Sequence, residues 1–453
     1  MQLEKVLLGL AIAAMAGCAP GVVAPTGQEA LPGELIVRFR DGTPVAARQA
    51  LRMRFGADAE AGALPDTEKW RLPEGRDPGA VMAVVSGEPE IKYATRNYVR
   101  RVLGFRAAEL KTIYPSGLWA LEQIKAPEAW DTYFSADNPP GKGVLVAVVD
   151  SGVDVRHPDL SANIARDGQG NPLYVDVLRD ASSSYDVCRG YYYDWVTAYR
   201  DVTHLGPDGH GHGTHVAGII AAQAGNPAYG YENIVGVAPA AQILPVKTMD
   251  CRGDGQDWNI AYGIKAAADM GARVLNLSIG GPEPSSLLED ALGYAIAKGT
   301  LIVVAAGNGS GSPVFYPAAY PGVIAVGAVN RDDVYQSFSN IGPEMALVAP
   351  GGTINQTVEG ILSTVPTYIT EMDKTGKHGF ARVSGTSQAS PFVAGAAALI
   401  WSREPSLTAD QVRERLYASA ADLGTRGFDT KHGWGRLDVA AALALGDHRY
   451  AAP

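Results

Sequence analysis

Between residues 144 and 329, short apolar runs alternate with segments of helical period. Val144–Val149, Ile243–Met249, Val274–Ile279, Leu301–Ala306 and Val323–Val329 are rich in Val, Ile, Leu and Ala with little polar alternation. Such runs suit strands covered on both faces, because a strand with one wet face reads apolar and polar in turn. Thr214–Ala222, Asp257–Met270 and Ser285–Lys298 intervene with helical spacing. Strands alternating with helices predict an α/β unit built on a mostly parallel sheet. In such sheets the reactive groups gather at the carboxyl ends of strands. Asp150 stands at the end of the first run and Asn308 just past the fourth.

The pattern ahead of this unit is different. Glu34–Phe39 reads as a strand, Pro44–Phe55 as a helix with Val45, Leu51 and Phe55 apolar, and Glu68–Leu72 as a short strand. A second helix runs through Val85, with Asp77 suited to cap it and Pro78 to its first position. Ile91–Arg101 closes the set as a strand. Residues 32–102 thus predict a small α+β domain. Residues 103–118 read as an exposed connection, 119–447 as the large domain and 448–453 as a tail.

At the N-terminus Lys5 precedes an apolar run, Val6–Ala16, that is too short to span a bilayer. Residues 1–18 read as an export signal, and 19–31, with Pro20 and Pro25 among small residues, as a tether. Met15-Ala16-Gly17-Cys18 resembles a bacterial lipoprotein signal, in which Cys18 would carry the lipid. Ordinary cleavage after Ala16, giving a freely secreted protein, is the other reading. Both place the chain outside the cytoplasm, and the only membrane contact expected is that lipid anchor.

Composition narrows the function classes. Apolar residues make up 46% of 453, which predicts a globular chain. The net charge is −10, with no Lys/Arg-rich block, so nucleic acid is not an expected partner. Cys188 and Cys251 are the remaining cysteines. Outside the cell they are a candidate disulfide, with two separate thiols as the alternative.

Three short runs carry the chemistry. Val148-Val-Asp150-Ser-Gly152 holds an acid, His212-Gly-Thr-His215 a base, and Ser384-Gly-Thr-Ser387-Gln-Ala-Ser-Pro391 a nucleophile. Ser387 precedes a long apolar helix through Trp401, so its amide sits at the positive helix end, where it can face a developing oxyanion. His212 would take the Ser387 proton, so activity should rise as His212 is deprotonated from acid toward neutral pH. Asp150 would orient His212, with Asp154 as a competing carboxylate. The histidines His210, His212 and His215 invite a zinc reading, but there is no His-Glu-x-x-His run.

The order Asp, His, Ser, with His212-Gly-Thr-His-Val-Ala-Gly218 and the Ser387 run, resembles the subtilisin-like serine peptidases from about Trp119 to Leu445. The resemblance implies a three-layer sandwich and a serine endopeptidase working through an acyl-enzyme. It implies that Asn308, in Ala305-Ala306-Gly307-Asn308, is the oxyanion-hole amide. Asn276-Leu-Ser278-Ile279-Gly280-Gly281 and Gly253-Asp-Gly255 match its two substrate-binding edges, with Ala306 and Gly307 beside the primary pocket. Phe315 falls where a typical member carries a small residue, so it should narrow that pocket against large aromatic side chains. Asp159 matches a ligand for structural calcium, but the partner loop 223–234 is longer than usual. No organic cofactor is implied. Residues 32–102 resemble the inhibitory propeptides of this family, with a ferredoxin-like pattern, so a self-processing zymogen is expected. Polypeptides would be its substrates, its own propeptide its inhibitor, and a monomer its working form. An inactive surface-binding lipoprotein would need a missing catalytic residue, and none is missing. A lipase-type hydrolase would need a Gly-x-Ser-x-Gly elbow, which is absent. The carboxylate-based variant of the fold would lack His212.

Overall fold

The computed structural model describes residues 29–103, 105–106, 118–178, 208–223, 234–354, 359–368, 370–373 and 379–445. Cys18, Cys188, the export signal, nearly all of the connection and most of the loop between Gln223 and Ile234 lie outside them.

The N-terminal unit contains β1 (Ala30–Phe39), α1 (Val45–Phe55), β2 (Asp58–Ala61), β3 (Thr67–Arg71), α2 (Pro78–Val85) and β4 (Ile91–Val102). Its strands pair antiparallel in the order β4-β1-β3-β2. Asp77 caps α2 by accepting from the N–H groups of Gly79 and Ala80 at 3.0 and 3.2 Å. Strand β1 begins at Ala30, two residues inside the stretch read as tether. Strand β2 has no counterpart in the sequence reading, because all four of its residues are exposed and it shows no apolar alternation. Leu35, Val37, Trp70 and Phe55 form this unit's own small core.

A short strand, β5 (Phe105–Arg106), then precedes the large domain. That domain begins with α3 (Trp119–Gln123) and α4 (Ala126–Tyr133). Its seven-stranded sheet uses β6 (Leu145–Asp150), β7 (Val175–Asp176), β8 (Gln242–Lys247), β10 (Val274–Leu277), β12 (Leu301–Ala305), β13 (Ile324–Val329) and β14 (Met345–Pro350). The order is β14-β13-β12-β10-β6-β8-β7, and every pairing is parallel. Along β6, Val146 and Val148 enter one apolar cluster while Ala147 and Val149 enter the other. This double burial is why these strands read as unbroken apolar runs.

Helices α5 (His212–Ala221) and α8 (Thr386–Arg403) cover one face. Helices α6 (Asp257–Asp269) and α7 (Ser286–Ala297) cover the other, completing three layers. Two further helices follow α8, α9 (Ala409–Ala418) and α10 (Val439–Ala444). The run read as one strand, Val274–Ile279, breaks at Ser278, and Ile279–Gly280 forms a separate short strand, β11. It faces β9 (Asp254–Gln256) across the end of β4. Strand order reverses around β6, with β8 on one side and β10 on the other, and the crevice at such a switch point is where ligands bind. A smaller sheet joins β15 (Ile361–Thr364), β16 (Phe380–Ser384) and β5.

Candidate active site

Asp150 ends β6 and His212 begins α5. Glycine lets the two approach: a Cβ on Gly213 would stand 2.1 Å from the Gly152 carbonyl oxygen. Both carboxylate oxygens of Asp150 lie 2.9 Å from His212 Nδ1. The Nδ1–H therefore donates to the acid, and Nε2 of the neutral ring is the acceptor. Among the described residues Nε2 has no hydrogen-bond partner. Ser387, second residue of α8, donates its hydroxyl at 2.8 Å to the Ser278 carbonyl instead. Asp150 and His212 are thus paired with each other, and the Ser387 hydroxyl with the Ser278 carbonyl.

The reason the serine sits so firmly lies four residues on. Pro391 has no N–H, so it cannot pair with the Ser387 carbonyl inside the helix. That carbonyl accepts from Ser278 Oγ at 2.9 Å, and Asn276 Nδ2 donates to Ser278 Oγ at 3.0 Å. The end of β10 and the start of α8 are joined through the group that proline frees.

The carbonyl of Leu103 is the point on which Asn308 and the Ser387 N–H converge. Asn308 Nδ2 donates to it at 2.6 Å and the Ser387 N–H at 3.3 Å. Asn308 is held in that orientation by Thr386, whose N–H and Oγ1 donate to its Oδ1 at 3.0 and 2.9 Å. Gly385 leaves room for the carbonyl, since a Cβ there would lie 2.6 Å from it. The Leu103 N–H lies 3.1 Å from Ser387 Oγ and 3.3 Å from the Ser278 carbonyl.

Behind Leu103 the chain runs between two edges. Val102 N–H donates to the Gly253 carbonyl at 2.9 Å, and Arg100 pairs with Gly255 on β9. On the other side Val102 pairs with Ile279 and Arg101 with Gly280 on β11. Phe315 donates its N–H to the Ala306 carbonyl at 2.9 Å. Its ring lies against Gly307, where a Cβ would stand 2.7 Å from Cδ2. A Cβ on Gly280 would meet both Leu103 Cδ1 and Phe315 Cβ, at 3.2 and 3.4 Å, so Phe315 borders the place of the Leu103 side chain.

Residues 141–435 match the Subtilase family, Peptidase_S8. The chain belongs to the subtilase family. It is a serine endopeptidase with the subtilisin-like α/β fold. Subtilisin E of Bacillus subtilis (strain 168) is 36% identical over 359 residues, covering 78% of this chain and 76% of its own. The thermophilic serine proteinase of Bacillus sp. (strain AK1) is 33% identical over 407 residues, covering 88% and 85%. The crystal structure of fervidolysin from Fervidobacterium pennivorans, a keratinolytic enzyme related to subtilisin, aligns with a TM-score of 0.69 at 26% identity. That alignment covers 92% of this subtilase and 62% of the fervidolysin chain.

The remaining polar residues near the site have structural partners. His215 Nε2 faces the carbonyls of Ile361 and Ala381, each at 3.2 Å, and burial pulls its imidazole down to about 3. Burial, aided by His212, pulls His210 down to about 4. Both rings are therefore neutral at ordinary pH, and among the described residues no three His, Cys, Asp or Glu side chains converge on a metal position. Asp154 accepts from the N–H groups of Arg156 and Thr367 and from Thr367 Oγ1, away from His212. Asp159 is buried and its carbonyl accepts from the Gln223 N–H at 2.8 Å. Among the described residues no three His, Cys, Asp or Glu side chains gather at Asp159. Cys251, two residues before Gly253, is disulfide-bonded, and Cys188 lies outside the described residues.

Sequence reasoning missed Asp208. Its carboxylate accepts from Ser151 Oγ, from the N–H groups of His210, Gly211 and Thr214, and from Thr214 Oγ1, at 2.6–3.2 Å. It ties the end of β6 to the first turn of α5 and so sets where His212 stands. An aspartate six residues before the helix start predicted at Thr214 was the available signal. Thr386 and Asp257 were also missed.

Proposed function

We propose that this subtilase is an exported endopeptidase made as a zymogen, with Asp150, His212 and Ser387 as acid, base and nucleophile, and that it cuts itself between Leu103 and Gly104. The observation that carries this reading is the Leu103 carbonyl, which accepts from Asn308 at 2.6 Å and the Ser387 N–H at 3.3 Å. Beyond Gly104, Phe105 and Arg106 pair with Ser384 and Val383 on β16, so the chain is gripped on both sides of that bond.

In the reaction the Ser387 hydroxyl leaves the Ser278 carbonyl and gives its proton to His212 Nε2 as Oγ attacks the Leu103 carbonyl carbon. Asp150 keeps Nδ1 protonated and balances the imidazolium charge. The C=O electron pair moves onto oxygen, where the Asn308 and Ser387 N–H groups stabilise it. Collapse breaks the bond to Gly104 nitrogen, which takes the proton from His212 and leaves an acyl-enzyme. Water then attacks, its proton passing to His212 and on to Ser387 Oγ.

Polypeptide substrates take the same path between β9 and β11, where main-chain bonds are indifferent to sequence. Phe315 narrows the pocket beside the reacting carbonyl. The N-terminal unit acts as the intramolecular inhibitor, and its charge suits the task. Arg38 and Lys92 reach Asp290 at 3.0 and 3.2 Å, and Arg101 reaches Asp254 at 2.9 Å. Lipid attachment at Cys18 and calcium at Asp159 belong to this reading on the sequence alone, and no step depends on either.

The test is the intact mass of the purified chain beside Ser387→Ala, both made without residues 1–18. Wild type is expected to yield a fragment beginning at Gly104, and Ser387→Ala to remain whole. Two full-length proteins would overturn self-processing, and a new terminus elsewhere would overturn the assigned bond.

A further inference from the structure

Arg100 is a fully buried arginine in the strand that fills the cleft. Its side chain and that of Asp257 are both 0% exposed. Arg100 Nε donates to Asp257 Oδ1 at 2.6 Å and Nη2 to Oδ2 at 3.1 Å, a two-pronged pairing of guanidinium with carboxylate. Nη1 donates to the Glu283 carbonyl at 2.9 Å. Asp257 is the first residue of α6, so the start of the helix fixes its place.

Two further facts turn this pair from a clasp into a subsite. First, the Leu103 carbonyl fixes the register: with Leu103 before the reacting bond, Arg100 is the fourth residue back. Any extended substrate hydrogen-bonded to β9 and β11 in that register brings its own fourth side chain to Asp257. Second, among the described residues Arg100 is the only hydrogen-bond or ion partner of the Asp257 carboxylate. Once the N-terminal unit leaves, the Asp257 carboxylate loses that partner, and a substrate that covers it again without supplying a cation leaves a buried charge unpaired, which is costly.

The geometry points to an arginine-selective subsite in the mature enzyme: Asp257 and the Glu283 carbonyl read a guanidinium on the fourth residue before the cut. This rests on the peptidase reading above and adds a side-chain preference to it. Arginine fits better than lysine, because three of its N–H donors are used in a planar fork that an ammonium cannot reproduce. A neutral side chain leaves the carboxylate unpaired, and an acidic one repels it. The expected order is Arg, Lys, Ala, Glu, with Arg above Ala by roughly 10²-fold in kcat/KM. The preference should shrink only modestly with salt, because the pair is buried.

The experiment uses mature enzyme obtained from the full chain and four blocked peptides ending in a fluorogenic amide, Xaa-Arg-Val-Leu, with Xaa as Arg, Lys, Ala or Glu. In wild type kcat/KM should follow the stated order. Asp257→Asn should bring Arg and Ala within about 3-fold of each other, and Asp257→Lys should make the Glu peptide better than the Arg peptide. An inverted preference is not something a merely structural role for Asp257 would produce. Equal cleavage of the Arg and Ala peptides by wild type would overturn the subsite while leaving the peptidase intact. Hydrolysis of none of the four, nor of casein, would overturn the peptidase reading and this one together. The wild-type peptide series decides the matter even if neither variant matures.

Discussion

Leu103 and Arg100 lie three residues apart on one strand, yet the enzyme holds them in opposite ways. At Leu103 the contacts go to a backbone oxygen, from the Asn308 amide and the Ser387 N–H. At Arg100 they go to a side chain, from a fully buried carboxylate. In the proposed reaction the first set meets a group whose charge changes, so it would gain strength in the transition state. The second meets a charge that stays constant, so it binds substrate and transition state alike. One end should therefore govern turnover and the other choice of substrate, and kinetics can separate them.

The largest effect that separates the two ends is at Asn308. Asn308→Ala removes one donor to the oxyanion while leaving the peptide edges intact. In a subtilisin itself, loss of one such donor costs roughly 10²–10³-fold in kcat, and a similar fall is expected here. Steady-state kinetics on the Arg and Ala peptides should show kcat falling by the same factor for both, with their ratio preserved. A changed ratio would mean that the two ends are coupled.

A smaller effect is expected one step further out. Thr386 does not touch the Leu103 carbonyl, but its N–H and hydroxyl fix the Asn308 oxygen and so aim the amide. Thr386→Val removes the hydroxyl and leaves the backbone donor. A fall in kcat of about 10-fold is expected, with KM unchanged and Thr386→Ser restoring the rate. A rise in KM alone would assign Thr386 to substrate binding.

What the sequence made legible follows the range of the interactions. Asp150, His212, Ser387 and Asn308 each sit in a short run whose glycines and small residues mark a tight turn; the fold pairs Asp150 with His212, and brings Asn308 and Ser387 to the Leu103 carbonyl. The central strands were legible because burial on both faces leaves an unbroken apolar run. The exposed β2 lacked any such mark. The break at Ser278 was hidden because its cause is distant: Ser278 turns to meet Ser387 and the Leu103 strand, which lie far along the chain. Asp257 was hidden for the same reason. As the first residue of a helix it reads as an ordinary acidic helix start, and only the fold brings Arg100 to it. Thr386 looked like part of the nucleophile's motif, and its hold on Asn308 became visible only with both side chains in position.

The smallest predicted change sharpens the comparison from the Leu103 side chain rather than its carbonyl. The Phe315 ring stands against Gly307 and borders the Leu103 side chain beside Gly280. Phe315→Gly should enlarge that pocket without touching the Asn308–Thr386 contacts or the Asp257 recess. For peptides with Phe in place of Leu before the cut, kcat/KM should rise about 10-fold relative to the Leu peptide. The Arg-to-Ala preference at the fourth residue should not move, because Asp257 and the Glu283 carbonyl, not Phe315, hold that side chain. Peptides ending in Leu, Phe and Ala, each measured on wild type and Phe315→Gly, make the check. If aromatic peptides gain nothing, Phe315 does not limit the pocket, and Leu103 owes its fit to Gly280 and its neighbours instead. If the fourth-residue preference changes as well, the strand shifts as a whole, and the separate treatment of its two ends fails.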